Sequence, residues 1–417
     1  MPEDRGAPAK TVRPVAGKEK ETMPGPLEGV RVLSFCRALA GPFAAMLLSD
    51  LGAEVVKVEA PEKGDLSRVT GPFVKEVGSY FLSINRGKKS ITLDLKKEEA
   101  RKIVFALAGK ADILLENFRP GVMERLGLGY EQVRFHNPRI IYASVSGFGQ
   151  SGPYSQRPAF DMIAQAMGGV VSITGEPGRP PARVGYSMGD MGASLFAATA
   201  VLAALHEREK SGQGQWIDVS MLDSQVALCE NACARYLANG QIPGPTGSRH
   251  PLFTPFQVFP TSDGHMVLIV MGEEQWRRFC EVAGKFEWIT DERMRTNKAR
   301  LAHYDAYMEE MEAVMRTRTT AQWMELFDAN LIMCGPVNTI DRVVNDPHVR
   351  AREMIVEVEH TEAGTLRVVG TPMKFSRTPC RIEKASPMLG EHTDEVLSNW
   401  QGLSAEEIEH LRREKIL

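Results

Sequence analysis

Asp190 lies between Gly189 and Met191, with Gly192 just beyond, where the chain enters GDMGASLFAATAVLAALHEREKSG. The apolar spacing of that run suits a long buried helix. An aspartate at a helix start has two readings. As an N-cap, its carboxylate accepts orphan backbone N–H groups and does no chemistry. As a functional group, the same geometry holds the carboxylate ionised, and the small neighbours let a bulky thioester approach for attack at its acyl carbon. A second feature that could do chemistry is basic. Arg86, Lys88 and Lys89 fall beside the predicted strand KSITLDL, with Arg68 upstream after KGD. They form either a solvated edge or a seat for phosphates.

Positioning these groups requires a scaffold, and the pattern supplies one. Residues 1–26 are rich in Pro, Gly, Lys and Glu without an apolar period, which predicts a disordered tail. From Leu27 short β-rich runs alternate with helical ones: VRVLSF, GPFAAMLLSDLG, AEVVKVEA, KSITLDL, KKEEARKIVFALAGKA, DILLENF and RIIYASVSGF. The alternation predicts a large α/β domain over 27–222, Rossmann-like with a mainly parallel sheet. Its first strand leads into RALAGPF rather than GxGxxG, so the dinucleotide fingerprint is absent. Residues 223–330 change character. A helix (SQVALCENACARYLANG), a Pro- and Gly-rich loop (IPGPTGSRHPLFTPF), a hairpin with DG at its turn (FQVFPTSDGHMVLIVM) and charged helices predict a smaller α+β domain. Residues 331–417 resume mixed strand and helix and are expected to return to the first domain.

Composition narrows the partners. With 417 residues, 43% hydrophobic and 25% charged, the chain can bury a sizeable core in two domains. A formal net charge of −3 provides no global field for nucleic acid or anionic lipid, so an anionic ligand must meet local cations. Cys36, Cys229, Cys233, Cys280, Cys334 and Cys380 form no CxxC pair and no zinc-like array, which predicts reduced thiols and no metal. No run approaches the about 20 apolar residues that span a bilayer, and the start MPEDRGAPAK lacks the apolar core of a signal peptide. The expected location is cytoplasmic, with no membrane or nucleic-acid partner.

Several segments carry a resemblance over nearly the whole chain after the tail. LAGPFAAMLLSDLGAEVVKVEAPEKGD, NRGKKSITLDL, ENFRPGVMERLGLGYE, SGFGQSGP, FDMIAQAMGG followed by TGEP, GDMGAS and the closing LGEHTDEVL occur in this order. Together they resemble the class III CoA transferases, with α-methylacyl-CoA racemase as a relative of that family. The resemblance implies CoA as co-substrate and no permanently bound cofactor. It implies acyl-CoA and carboxylate small molecules as partners, and an interlocked homodimer whose subunits thread through one another. Some members work as pairs of different chains, so a hetero-oligomer stays open.

The resemblance places the family's nucleophilic aspartate at Asp190 and implies an anhydride, an aspartyl-CoA thioester and a second anhydride in turn. It places CoA contacts on Ala38, Leu39, Ala40, Arg68, Lys89, Leu93 to Lys96, Asn117, Phe118, Arg125 and Asp161. An arginine and a glutamine of the formyl-CoA branch fall at Ala60 and Leu39, which argues against formyl or oxalate specificity. GPTGSRHPLFTPF is closer to the succinyl-CoA-dependent dicarboxylate branch. Within it, Arg249 is either an exposed loop arginine or a fork for the distal carboxylate of succinate or glutarate. His250 reads as structural more readily than catalytic, and Gly272 and Glu273 are expected to line the same cleft. Two other readings remain. A racemase needs a base on each side of the α-carbon, and Phe160 stands where the related racemases carry histidine before the aspartate. A silent acyl-CoA-binding subunit would have no need of Asp190.

Overall fold

The computed structural model describes residues 24–417, so the tail expected over 1–26 lies, up to residue 23, outside the described residues. Short runs of Val, Ile and Leu build the main sheet. Its strands are β1 (Arg31–Ser34), β2 (Glu54–Glu59), β5 (Lys89–Thr92), β6 (Ile113–Glu116), β7 (Ile141–Ser146) and β8 (Trp216–Ser220), with a small hairpin, β3 (Phe73–Val74) and β4 (Val77–Gly78), inserted before β5. They pair in parallel in the order β5-β2-β1-β6-β7-β8. Every residue of β6 and β7 is buried, as expected of parallel strands covered on both faces. The predicted α/β architecture with a mainly parallel sheet is therefore found. Counted within this sheet alone, the order is the doubly wound 3-2-1-4-5-6. It reverses between β1 and β6, paired Val32 to Ile113, and such a reversal opens a crevice beyond the carboxyl ends of the two strands.

Both faces carry apolar layers. On one, Leu33, Val56, Ile91 and Leu114 pack with Ile103 and Leu107 of the helix Glu98–Ala108 and with Val396, Leu397, Trp400 and Ile408 near the C-terminus. On the other, Val32, Val55, Ile113 and Ile141 meet Ala44 and Leu48 of the helix Ala40–Asp50 and Ala193, Ala197 and Val201 of the helix Met188–Ser211. This last helix has 24 residues, and by length and composition it is long and apolar enough to cross a membrane. That corrects the expectation that no run approaches such a length. Its alanines pack on the sheet, and Arg208 near its end pairs with Asp112 at 2.8 Å.

A second, antiparallel sheet contains β9 (Phe256–Pro260), β10 (His265–Ile269) and β11 (Met333–Pro336), in the order β11-β10-β9. The turn between β9 and β10 carries the DG pair that predicts it, and Thr261 N–H closes on the Gly264 carbonyl at 2.9 Å. Three tryptophans, Trp276, Trp288 and Trp323, anchor the core beneath this sheet. A further hairpin, β12 (Ile355–His360) and β13 (Gly364–Val369), precedes the C-terminal helices.

Candidate active site

Asp190 is the third residue of its helix, behind Met188 and Gly189, and Ser187 occupies the N-cap position without a side-chain bond. The N-cap reading of Asp190 is thus corrected. The cap comes from elsewhere: Asp161, first residue of the helix Asp161–Met167, accepts the Gly189 N–H at 2.7 Å and the Asp190 N–H at 3.4 Å on Oδ1. Its Oδ2 accepts from Gln165 Nε2 at 2.8 Å. Among the described residues, the half-buried Asp190 carboxylate has no hydrogen bond or ion pair. Burial, and then the Asp161 charge, push its pKa up to about 7. The expectation that the helix start holds it ionised is corrected as well, because burial and then the Asp161 charge work against the charged form. The small neighbours serve packing, since a Cβ on Gly189 would lie 3.0 Å from Asp161 Oδ1 and one on Gly192 2.8 Å from Leu228 Cδ1.

Ser194, one turn on from Asp190, has its Oγ 2.6 Å from the Ala40 carbonyl and 2.7 Å from that of Asp190. This links Asp190's helix to the turn that follows β1. Asn117 accepts the N–H of Arg37 in that turn and donates to the Arg37 carbonyl, both at 2.8 Å. The Arg37 guanidinium lies 5.3 Å from the centre of the Phe118 ring. Ala38 has φ +60°, Leu39 is the N-cap of the helix Ala40–Asp50, and both Leu39 and Ala40 are buried. Asn117 and Phe118 directly follow β6, so they and residues 38–40 meet at the topological reversal. Arg125 ends the short helix Val122–Arg125, near Gly121. Leu93 belongs to the core, its N–H bound to the Glu59 carbonyl at 2.9 Å, whereas Lys96 is exposed. Glu116, next to Asn117, has its carboxyl pushed up to about 7 by burial.

The basic cluster is committed internally. Arg86 is buried and paired with Asp50 at 2.5 Å. Lys88 is buried too, and its ammonium donates to the Pro42 and Ile84 carbonyls and to Asn85 Oδ1, at 2.8, 2.9 and 2.7 Å. This corrects both readings of these two residues, as solvated edge and as phosphate seat. Burial also drives the Lys88 pKa well below the ordinary value. Lys89 pairs with Glu54 at 2.6 Å and Glu395 at 2.8 Å, and Arg68 pairs with Glu59 at 2.7 Å while covering the Phe81 ring at 3.7 Å.

Around the small sheet, the Arg249 guanidinium lies 4.1 Å from the centre of the Tyr304 ring and has no carboxylate partner among the described residues. Its loop reaches towards the segment after Asp161's helix, where Gly247 N–H binds the Gly175 carbonyl at 2.8 Å. His250 stacks on Phe256 at 4.8 Å and accepts the Leu252 N–H on Nδ1 at 3.1 Å. Gly272 turns at φ +90° into the helix Glu273–Val282. Glu273 is exposed, and its carboxylate accepts from the buried Arg300 and from the Asn297 N–H, each at 2.9 Å.

Sequence reasoning passed over Lys57, Asp65 and Tyr80. Tyr80, in the helix Ser79–Ile84, is near enough to Asp190 that, after burial, the charges of Asp190, Asp161 and Asp65 raise its pKa. Nothing local marks it. Lys57 and Glu59 did leave a signal, because charges at alternate positions of a strand with buried neighbours imply a polar network inside.

The family model described as CoA-transferase family III matches residues 27–393. A succinate–glutarate CoA-transferase of Agrobacterium fabrum is 40% identical over 385 residues, covering 89% of this chain and 95% of that protein. The succinyl-CoA:glutarate CoA-transferase of Mus musculus is 39% identical, covering 89% of this chain and 86% of that protein. A crystal structure of a CAIB/BAIF family protein from Brucella suis superposes with a TM-score of 0.83 at 35% identity, over 91% of this chain and 100% of that one. The doubly wound sheet, the aspartate beside its crevice and these matches lead to one conclusion: the chain belongs to CoA-transferase family III and is an enzyme of that class.

Proposed function

We propose that the enzyme moves CoA from succinyl-CoA to a dicarboxylic acid through covalent intermediates on Asp190. The observation that carries this reading is the Asp190 carboxylate itself, unpaired among the described residues beside the turn after β1 and basic enough, at about 7, to be a competent nucleophile once ionised. An Asp190 oxygen attacks the donor carbonyl, the C–S bond breaks, and CoA thiolate leaves behind a mixed anhydride. The thiolate then attacks the Asp190 carbonyl carbon, releasing the donor carboxylate and forming aspartyl-CoA thioester. Acceptor carboxylate displaces CoA to form a second anhydride. Attack of the thiolate on the acceptor-derived carbonyl yields product thioester and restores Asp190. No proton is consumed overall, so the site needs exclusion of water more than an acid or base.

Ala38 to Ala40, Asn117, Phe118, Lys96 and Arg125 are the residues we assign to CoA. Arg249 is the candidate partner for the acceptor's distal carboxylate, supported by its lack of a carboxylate partner and by the substrates named for the similar proteins. The six unpaired cysteines fit a reducing, cytoplasmic setting. An interlocked homodimer accounts for the exposed Phe160, Met162, Leu195, Phe196, Leu237 and Ile242.

Asp190→Ala is expected to abolish turnover while CoA affinity stays within about tenfold. Wild type treated with succinyl-CoA and hydroxylamine should acquire a hydroxamate on Asp190, read by peptide mass. Full activity in the alanine variant would end the mechanism. A mass-spectrometric screen of mono- and dicarboxylate acceptors then tests the substrate.

A further inference from the structure

Strand β2 carries Lys57 and Glu59 on one face although its neighbours are buried, and a charge is tolerated there only if its hydrogen bonds are met. Lys57 Nζ donates to Asp65 Oδ2 at 2.7 Å and to the Cys36 carbonyl at 2.6 Å, and both side chains belong to residues only 1% exposed. Asp65 Oδ1 accepts the N–H groups of Ala38 at 3.1 Å and Ser67 at 2.9 Å. Behind this pair, Asp65 N–H binds Glu59 Oε1 at 2.9 Å, and Glu59 Oε2 accepts from Ser90 Oγ at 2.7 Å. Ser90 Oγ in turn accepts Gly390 N–H at 3.0 Å, so the network ends on the closing LGEHTDEVL segment.

The target of these bonds is one stretch of backbone. Cys36 C=O is held by Lys57, Arg37 N–H and C=O by Asn117, and Ala38 N–H by Asp65. Ala38 sits at φ +60°, a left-handed conformation that an alanine resists and keeps only where its surroundings over-determine it. The helix that follows has no side-chain cap on its first amides.

From this geometry we infer that Lys57 and Asp65 are positioning residues, a buried ion pair that holds the turn after β1 in the strained shape that receives CoA. The inference rests on the reading above that this turn faces CoA. Neither residue touches the ligand; both act through Cys36 and Ala38.

Two variants test it. Asp65→Asn keeps an acceptor for Ala38 but removes the charge, and Lys57→Met with Asp65→Leu replaces the pair by apolar groups, an exchange that often preserves stability. Each is expected to weaken CoA binding about tenfold by titration calorimetry and to raise KM for acyl-CoA at nearly constant kcat. Adding Ala38→Gly, which adopts positive φ freely, should recover most of the loss. A purely structural pair would lower the melting temperature and the active fraction yet leave Kd of the folded fraction unchanged, with no recovery from Ala38→Gly. That result overturns the inference alone. Should the double variant not fold, Asp65→Asn carries the test. Wild type that bound no CoA would overturn the reading of the site and the inference together.

Discussion

Asp161 and Asp190 share one helix start but divide its properties: Asp161 Oδ1 takes the Gly189 and Asp190 amides, and its charge then adds to burial in raising the Asp190 pKa to about 7. A helix N-terminus ordinarily favours the ionised form of a carboxylate beside it. At Asp190 burial, and then the Asp161 charge, outweigh that effect.

The rate should report this directly. In the proposed mechanism only ionised Asp190 attacks, so kcat/KM is expected to rise with pH, by about tenfold per pH unit on the acid side, and to level off above about 7. Asp161→Asn removes the neighbouring charge but keeps an oxygen for the Gly189 amide, so the ascending limb should move to lower pH. Steady-state kinetics on both proteins decide it. A limb that stays in place would show that Asp161 has no electrostatic influence on the nucleophile.

Stability carries the opposite sign from the usual ion-paired carboxylate. The folded value of about 7 exceeds the ordinary 3.8, so the folded state holds the Asp190 proton more tightly than the unfolded chain does. Below about pH 4 both states are protonated and nothing is lost. Between there and about 7 the carboxyl increasingly disfavours folding, and the cost levels off above. Asp190→Asn is therefore expected to exceed wild type by on the order of a few kcal/mol near pH 8, with the difference shrinking towards pH 4. Thermal melts across pH measure it, and a pH-independent difference would contradict it.

Arg86 and Lys96 should separate fold from ligand. Arg86→Met leaves Asp50 buried without its partner, a change expected to cost about 3–5 kcal/mol. Lys96→Ala, at an exposed site, should change stability by less than about 0.5 kcal/mol and instead weaken CoA binding. Denaturant unfolding and calorimetry on the two variants make the comparison. Intact stability with lost CoA affinity in Arg86→Met would return that arginine to the ligand.

The α/β alternation, the parallel sheet and the hairpin at DG were legible because each depends on periodicity and turn chemistry within a few residues. Asp190 was legible as a helix-start aspartate, and the ordered strings from LAGPF to LGEHTDEVL carried its family. What lay hidden were relations between residues far apart in the chain. Asp161 caps a helix 28 positions away, Arg86 meets Asp50 36 positions away, and Ala38 leans on Asp65 across 27. A basic string reads as a surface until the fold supplies buried carboxylates and carbonyls to pair it, and an aspartate's pKa depends on which neighbours share its burial. The sequence by itself determined the class of scaffold and marked Asp190 as an aspartate at a helix start. Only the tertiary structure decided which charges face inward and which carboxylate is left unpaired, because desolvation and pairing are set by neighbours that packing brings together.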